Sequence, residues 1–184
     1  MAEHEPCIGA SDDWYTPPEI FRALGLTFDL DPCSPGPDHW VPARQVYTKA
    51  DDGLRKHWFG LVFVNPPFGG RRGHVPWLKK LLDHGNGIAI VRAYTSSDWF
   101  QDIVAPRAQT LMFPRGKTKF ISGSEMTTNT KRGVIVHPAG SVGDSPGHGV
   151  VLIGMGNVAN AALQKCGLGF FVGFCVPDEI ARAS

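Results

Sequence analysis

The most constraining stretch of the chain is Val62-Phe63-Val64-Asn65-Pro66-Pro67-Phe68-Gly69. A continuous apolar run, Leu61 through Val64, reads as a buried strand. Two consecutive prolines end it, because each fixes φ and removes a backbone N–H that a sheet would need. The strand must therefore exit at Asn65. With two donors gone, the segment offers carbonyls beside an Asn side chain and an aromatic ring. In an open α/β sheet, ligands sit outside the carboxyl ends of the strands, which is where this tetrapeptide falls. Such a group of acceptors suits a ligand amino group. The exocyclic NH2 of a nucleobase is a poor nucleophile because its lone pair is conjugated into the ring. Two acceptors holding its hydrogens tetrahedrally, with an aromatic ring stacked on the base, would localise that pair toward an incoming methyl group. The plain packing alternative is a proline-punctuated strand exit, with Asn65 an ordinary turn residue and Phe68 in the core. The direct fusion to an apolar strand favours the chemical reading.

Around this segment, apolar runs alternate with amphipathic stretches. Thr16-Pro17-Pro18-Glu19 reads as a helix start with Thr16 as cap; Ile20, Phe21 and Leu24 form the apolar face and Gly25 the stop. Strands are expected at 27–31, 61–64, 87–92, 110–113, 117–121, 133–137, 150–153 and 169–175. Further helices are expected at 76–84, 96–104 (capped by Ser96 or Ser97) and 157–166. This is the pattern of an α/β domain with a largely parallel sheet, the excess of strands in the second half implying some antiparallel pairing there. The polar stretch 122–131 and the Gly/Pro/Ser-rich stretch 138–148 read as surface loops.

Composition narrows the function classes. The 18 Lys+Arg against 17 Asp+Glu leave a formal charge of +1, so the chain does not coat nucleic acid by bulk charge. Any DNA contact must be local. At 184 residues one domain spanning 1–184 is expected, with 1–13 as a flexible lead-in. No run approaches the roughly 18 apolar residues of a membrane span, and the N-terminus lacks a secretory pattern, so a cytoplasmic protein is expected. Cys7, Cys33, Cys166 and Cys175 form no C-x-x-C pair and are expected as reduced thiols. The seven histidines show no ligand spacing, so no metal is expected. No G-x-S-x-G elbow or G-x-x-x-x-G-K-[ST] loop is present.

Several further blocks join the tetrapeptide: Trp14-Tyr15-Thr16-Pro17-Pro18-Glu19-Ile20-Phe21, Phe28-Asp29-Leu30-Asp31-Pro32-Cys33, Asp51-Asp52-Gly53-Leu54 with Trp58, Ala93 to Phe100, and Gly116-Lys117-Thr118-Lys119-Phe120. In this order they resemble the phage-type DNA N6-adenine methyltransferases (Dam-like). The resemblance implies a compact Rossmann-like, S-adenosylmethionine-dependent fold, a mixed sheet with helices on both faces. It further implies methylation of the exocyclic amino group of adenine in double-stranded DNA, the base being flipped into the pocket of Asn65, Pro66, Pro67 and Phe68. Trp14, Tyr15, Thr16 and Pro17, with Asp31, Pro32 and Cys33, would then hold the methionine part of the cofactor. Asp51 and Asp52, or Asp38, would meet its ribose. If the chain is phage-encoded, the location would be the host cytoplasm.

Departures from the pattern matter. Only Gly36 stands where methyltransferases usually carry a glycine-rich loop, and Asp31 to Asn65 is 34 residues, too short for two βα units. Lys117 stands where relatives often have Arg, keeping charge without the bidentate fork. Arg71 and Arg72, in a Gly-rich loop beyond Phe68, together with Lys117 and Lys119, are candidate DNA-phosphate contacts, although such cations are commonly a solvated face. Lys79 and Lys80 would extend that charge. Asp31 could instead merely cap its Pro-rich turn, and Trp14 and Tyr15 could be a hydrophobic staple for the helix that follows. Trp58 and Trp99 are expected in the core. Cytosine N4 makes the same demands on Asn65 and Pro66, and a catalytically inactive nucleic-acid-binding relic of the fold is the reading from another class. Sequence specificity is expected from 122–131, 138–148, or both.

Overall fold

The computed structural model describes residues 14–36, 39–67, 72–130, 133–143 and 148–174. Its centre is a seven-stranded mixed sheet in the order β11-β6-β10-β5-β4-β2-β3. The strands are β2 (Phe28–Asp31), β3 (Ala43–Val46), β4 (Val62–Val64), β5 (Gly87–Arg92), β6 (Thr110–Pro114), β10 (Val150–Met155) and β11 (Gly169–Gly173). β3, β2, β4 and β5 are parallel. β10, β6 and β11 add antiparallel to β5 and to one another. The second half of the chain thus supplies the antiparallel edge that its strand-rich pattern implies.

Strand periodicity sorts the core into two layers. Val62, Val64, Ala89, Val91, Leu111, Val151 and Ile153 face helix α2 (Val75–His84) and a π-helical turn at Phe100–Val104. Phe63, Ile88, Ile90, Met112, Val150 and Leu152 face α1 (Pro18–Leu24) and α3 (Asn157–Lys165). Helices therefore cover both faces. Phe63 has no exposed surface and packs edge-on against Phe21 at 4.8 Å. Burial of its ring, worth about 3–5 kcal/mol against Ala, anchors β4 one residue before the strand ends and so fixes where Asn65 emerges.

Two small sheets lie outside this one. β1 (Trp14–Tyr15) pairs antiparallel with β7 (Ile121–Ser122), and β8 (Met126–Thr130) with β9 (Gly133–His137). The strand expected at 117–121 is thus confined to its last residue and the one after. Within the polar 122–131 stretch, read as loop, 126–130 is strand, its β-branched threonines suiting extended backbone. At 96–104 the expected regular helix is a π turn in which Ala105 N–H reaches the Phe100 carbonyl at 2.8 Å; Ser97 Oγ caps nothing and donates to the Tyr94 carbonyl. Trp58 and Trp99 are core residues, 3% and 7% exposed.

The shortness of 31–65 also has its structural counterpart. Among the described residues no helix lies between β2 and β4, and β3 is reached by an irregular crossover. β3 itself, with Arg44 and Gln45 exposed on the sheet edge, carries no apolar signal.

Candidate active site

The parallel strands end on one side of the sheet, and a cleft of about 770 Å³ opens there. Its wall contains Trp14, Tyr15, Thr16, Asp31, Pro32, Cys33, Asp52, Asn65 and Pro67. The structure thus brings together nine of the residues singled out from sequence, from four separate segments. Of the others, Pro66 is buried behind the wall, Pro17 lies on a neighbouring cleft, and Asp51 accepts Thr48 N–H and Thr48 Oγ1–H, each at 2.8 Å. Those two bonds hold the Asp51 carboxyl below its ordinary range. Phe68, Arg71 and Asp38 lie outside the described residues.

Helix α1 begins differently from expectation, with consequences for the cleft. Pro17 occupies the cap position, Pro18 the first turn, and no side chain caps the helix. Proline satisfies the N-terminus by lacking the donor that would need a partner. The Thr16 hydroxyl is consequently left over. Thr16 is 2% exposed, and Oγ1 is buried without a hydrogen-bond partner. Trp14 and Tyr15 are a strand rather than a staple. Tyr15 meets Trp40 edge-on at 5.3 Å, while Trp40 Nε1 donates to the Thr16 carbonyl at 2.7 Å.

At the end of β2, Asp31 is 3% exposed. Oδ1 accepts Cys33 N–H at 3.1 Å, and Oδ2 lies 4.0 Å from His39 Nε2. Burial pushes the carboxyl up to about 7, the Cys33 N–H opposing that rise. Burial also pushes the Cys33 thiol well up, reinforced by the charge of Asp31 and opposed by the Asn65 N–H. The thiol is therefore neutral near pH 7 and no nucleophile.

At the end of β4, Asn65 Nδ2 donates to the Trp14 carbonyl at 2.8 Å, across 51 residues of sequence. That bond ties β4 to β1 and settles which end of the amide is occupied. A third segment closes the wall at Gly53, where a Cβ would stand 1.8 Å from the Pro32 carbonyl, so only glycine fits. The Gly53 carbonyl accepts from Trp58 Nε1 at 2.8 Å and from Lys80 Nζ at 3.1 Å. Lys80 also donates to the Leu54 carbonyl at 2.7 Å and lies over the Trp58 ring. Sequence reasoning assigned Lys80 to a basic face; it instead binds the 53–56 turn to α2.

The remaining cations are distributed differently. Arg72 reaches Asp98 at 3.4 Å with both side chains largely exposed, a pair of small energetic weight. Lys117 and Lys119 line a second cleft of about 370 Å³ with Arg115 and Pro17. Residues on the first cleft that sequence reasoning missed include His39, Trp40, Lys49 and Trp77. His39 and Trp40 stand in the irregular crossover, where no periodicity marks a lining position.

A family model described as DNA N-6-adenine-methyltransferase (Dam) matches residues 8–137. The chain belongs to that family. The seven-stranded mixed sheet with helices agrees with the Rossmann-like methyltransferase fold. Membership makes the chain a DNA methyltransferase at family level, with adenine as the family's base and DNA as its substrate. No curated protein and no solved structure matches it. Every Dam-family residue discussed on the first cleft lies within the matched span.

Methyltransferases generally draw the methyl group from S-adenosylmethionine, and the wall fits such a ligand. It pairs a buried carboxyl, Asp31, with the aromatic surfaces of Trp14, Tyr15 and Trp40. Among the described residues no group of three or more His, Cys, Asp or Glu could hold a metal ion, and no helix is long and apolar enough to cross a membrane.

Proposed function

We propose that the first cleft binds S-adenosylmethionine and that Asn65, Pro66, Pro67 and Phe68 receive an adenine turned out of double-stranded DNA, in one methyltransferase domain. The observation that carries this reading is the Asn65 Nδ2 bond to the Trp14 carbonyl at 2.8 Å. With one N–H of its NH2 group so committed, the amide is held in one orientation, with Oδ1 open to accept from a ligand. A rotating amide would present either end; this one is fixed at a strand end with its oxygen in a set place. Pro66 can accept through its carbonyl and has no N–H to compete.

When bound, S-adenosylmethionine supplies a methyl group on a sulfonium centre, ready for direct in-line attack by a nitrogen lone pair. Asp31 accepts from the ammonium at the methionine end, and Asp52, on the same wall, accepts from the ribose. Asn65 Oδ1 and the Pro66 carbonyl would accept hydrogen bonds from the two N–H groups of the adenine amino group, drawing its lone pair out of conjugation. As N–C forms, S–C breaks to leave a neutral thioether, and one amino proton is lost to water. Phe68 stacks on the base. Base flipping follows because an amino group paired inside a duplex cannot reach a protein cleft. Arg71, Arg72, Lys117 and Lys119 hold phosphates and so position the duplex without reading it.

The test is transfer of labelled methyl from S-adenosylmethionine to duplex DNA by the purified protein, followed by digestion to nucleosides. Label in N6-methyladenine is the expected result. Label in N4-methylcytosine would replace the substrate base, and DNA binding with neither label nor cofactor binding would make the chain a relic of the fold.

A further inference from the structure

The two edges of the central sheet are finished differently. β3 is blunted by the exposed, charged Arg44, with Pro42 just before the strand. β11, at the opposite edge, reads Gly169-Phe170-Phe171-Val172-Gly173, with no charge and no proline to keep another strand away. Phe170 is 69% exposed on it. The register with β6 shows which backbone groups β11 leaves open. Phe170 lies opposite Phe113 and Val172 opposite Leu111. The bonds that continue this ladder at its two ends run from Arg115 N–H to the Leu168 carbonyl at 2.8 Å and from Phe174 N–H to the Gln109 carbonyl at 2.9 Å. In an antiparallel ladder every second residue turns its N–H and C=O to the same neighbour. Leu168, Phe170, Val172 and Phe174 therefore bond to β6 and its flanks. Gly169, Phe171 and Gly173 point theirs away from the sheet, where no strand among the described residues pairs with them.

These open groups are symmetric about Phe171. A second β11 laid antiparallel, with Phe171 opposite Phe171, brings Gly169 opposite Gly173 at both ends, so every residue with open backbone groups meets another such residue. Phe170 then falls opposite Val172 of the second copy in the closer, non-hydrogen-bonded kind of pair, with Cα atoms about 4.5 Å apart. Both side chains lie on the α2 face, because residues two apart share a face and Val172 packs against that layer. An aromatic opposite a β-branched residue is a favourable cross-strand pair, and it covers the exposed Phe170 ring. A slip of one residue would set open backbone groups against spent ones, so the register is specified. We propose that β11 joins β11 of a second copy about a two-fold axis through Phe171, extending the seven-stranded sheet across two chains. The second copy's strands run the opposite way, so the two large clefts open at opposite ends of the joined sheet, and no β11 residue lines either. A five-residue edge is small beside the roughly 1,200–2,000 Å² of stable specific interfaces, so dissociation on the order of micromolar is expected.

Sedimentation of the full chain across the micromolar range tests this, and the mass is expected to rise from one chain to two. Phe170→Lys puts a charge on the edge, as blunted edges carry, at a position exposed enough to spare the fold. It should raise the dissociation constant by roughly tenfold or more. Thermal unfolding like wild type shows that the variant is folded. Register is read separately. Phe170→Cys combined with Val172→Cys should oxidise to a covalent dimer, because only together do the two place thiols across a non-hydrogen-bonded pair. Each single variant, which keeps the native cysteines, should not. A wild type that stays monomeric throughout overturns the proposal and leaves the edge to another occupant, residues 175–184 of the same chain being the nearest in sequence. A dimer that folded Phe170→Lys leaves unchanged overturns it too, by placing the interface elsewhere. Should Phe170→Lys not fold, the paired cysteines decide: a dimer that they fail to cross-link is not joined through this strand, and the proposal falls.

Discussion

The two clefts meet at the consecutive residues Thr16 and Pro17, yet they are built from opposite material. The larger is walled by atoms held in place from behind: Asn65 by the Trp14 carbonyl, Gly53 by Trp58 and Lys80, and Asp31 by burial at the end of β2. The smaller presents Arg115, Lys117 and Lys119, all exposed, on irregular backbone after β6. The difference suits the task proposed for each. Withdrawing a lone pair from conjugation depends on acceptors placed to fractions of an ångström, which only buried anchoring provides. Attracting a phosphate backbone depends on charge acting over a Debye length of about 10 Å at 0.1 M salt, and flexible side chains suffice. Substitutions in the first cleft should therefore act on rate or cofactor affinity, and substitutions in the second on salt dependence.

The largest expected effect is at Asn65. Asn65→Ala removes the oriented acceptor and should lower methyl transfer by about hundredfold or more, the usual consequence of losing one positioned transition-state contact. Cofactor affinity should stay close to wild type, since the proposed role of the amide is toward the base. Single-turnover transfer and titration on the same preparation measure both. Undiminished transfer by the folded variant would remove Asn65 from the chemistry and erase the contrast between the clefts.

Asp31 gives the next effect. Asp31→Asn should weaken S-adenosylmethionine binding by about 1.5–3 kcal/mol, the value of a charge-assisted bond. Identical titration curves for the two proteins would make Asp31 only the cap of its turn.

The same carboxyl predicts a pH dependence. Its folded pKa is raised from 3.8 to about 7, so between those values the folded chain binds a proton that the unfolded chain has lost. Its contribution to stability therefore declines as pH rises through that window and is least favourable above 7. Of the groups facing it, burial pushes the Cys33 thiol up and the His39 ring down. An arriving ammonium favours the ionised form, so cofactor affinity should climb from pH 6 to pH 8 and level off, with proton release near pH 7. Titrations in buffers of different ionisation enthalpy read that proton. In thermal unfolding at pH 8, Asp31→Asn should equal or exceed the wild type in the absence of ligand.

Much of the first cleft was legible because strand ends announce themselves. The apolar run 61–64 with its prolines located Asn65, and Asp31-Pro32-Cys33 closed the strand before it. What could not be read was who holds whom. Thr16 looked like a helix cap because Ser and Thr so often are, but two prolines already satisfy that terminus and release its hydroxyl. Lys80 looked like surface charge because one sequence gives no sign that three carbonyls of a turn, at Gly53, Leu54 and Lys56, converge on it. His39 and Trp40 were missed because irregular backbone has no period, and the edge strand β3 because its exposed Arg44 and Gln45 imitate a loop. The antiparallel half was easier, since a continuous run such as β10 is buried on both faces and needs no partner residue to be recognised.

The smallest expected effect belongs to the second cleft. Lys117 and Lys119 are exposed, and among the described residues neither forms an ion pair, so their charge is available to an approaching strand. Lys117 is near enough to His148 to depress its proton affinity along with Arg92, after the larger effect of burial, which places positive potential between this cleft and the end of β5. Each phosphate contact contributes about 0.9 to the slope of log K against log salt, so replacing both lysines by alanine should flatten the slope for duplex DNA by up to about 2. Site preference should hold, because phosphate contacts position the duplex rather than read it. S-adenosylmethionine affinity should also hold, since neither lysine lines the first cleft. A double variant with the wild-type slope and altered site preference would mean that this cleft reads bases. One with weakened cofactor binding would mean that Thr16 and Pro17 join the clefts into one site and that the division between fixed chemistry and diffuse charge is drawn in the wrong place.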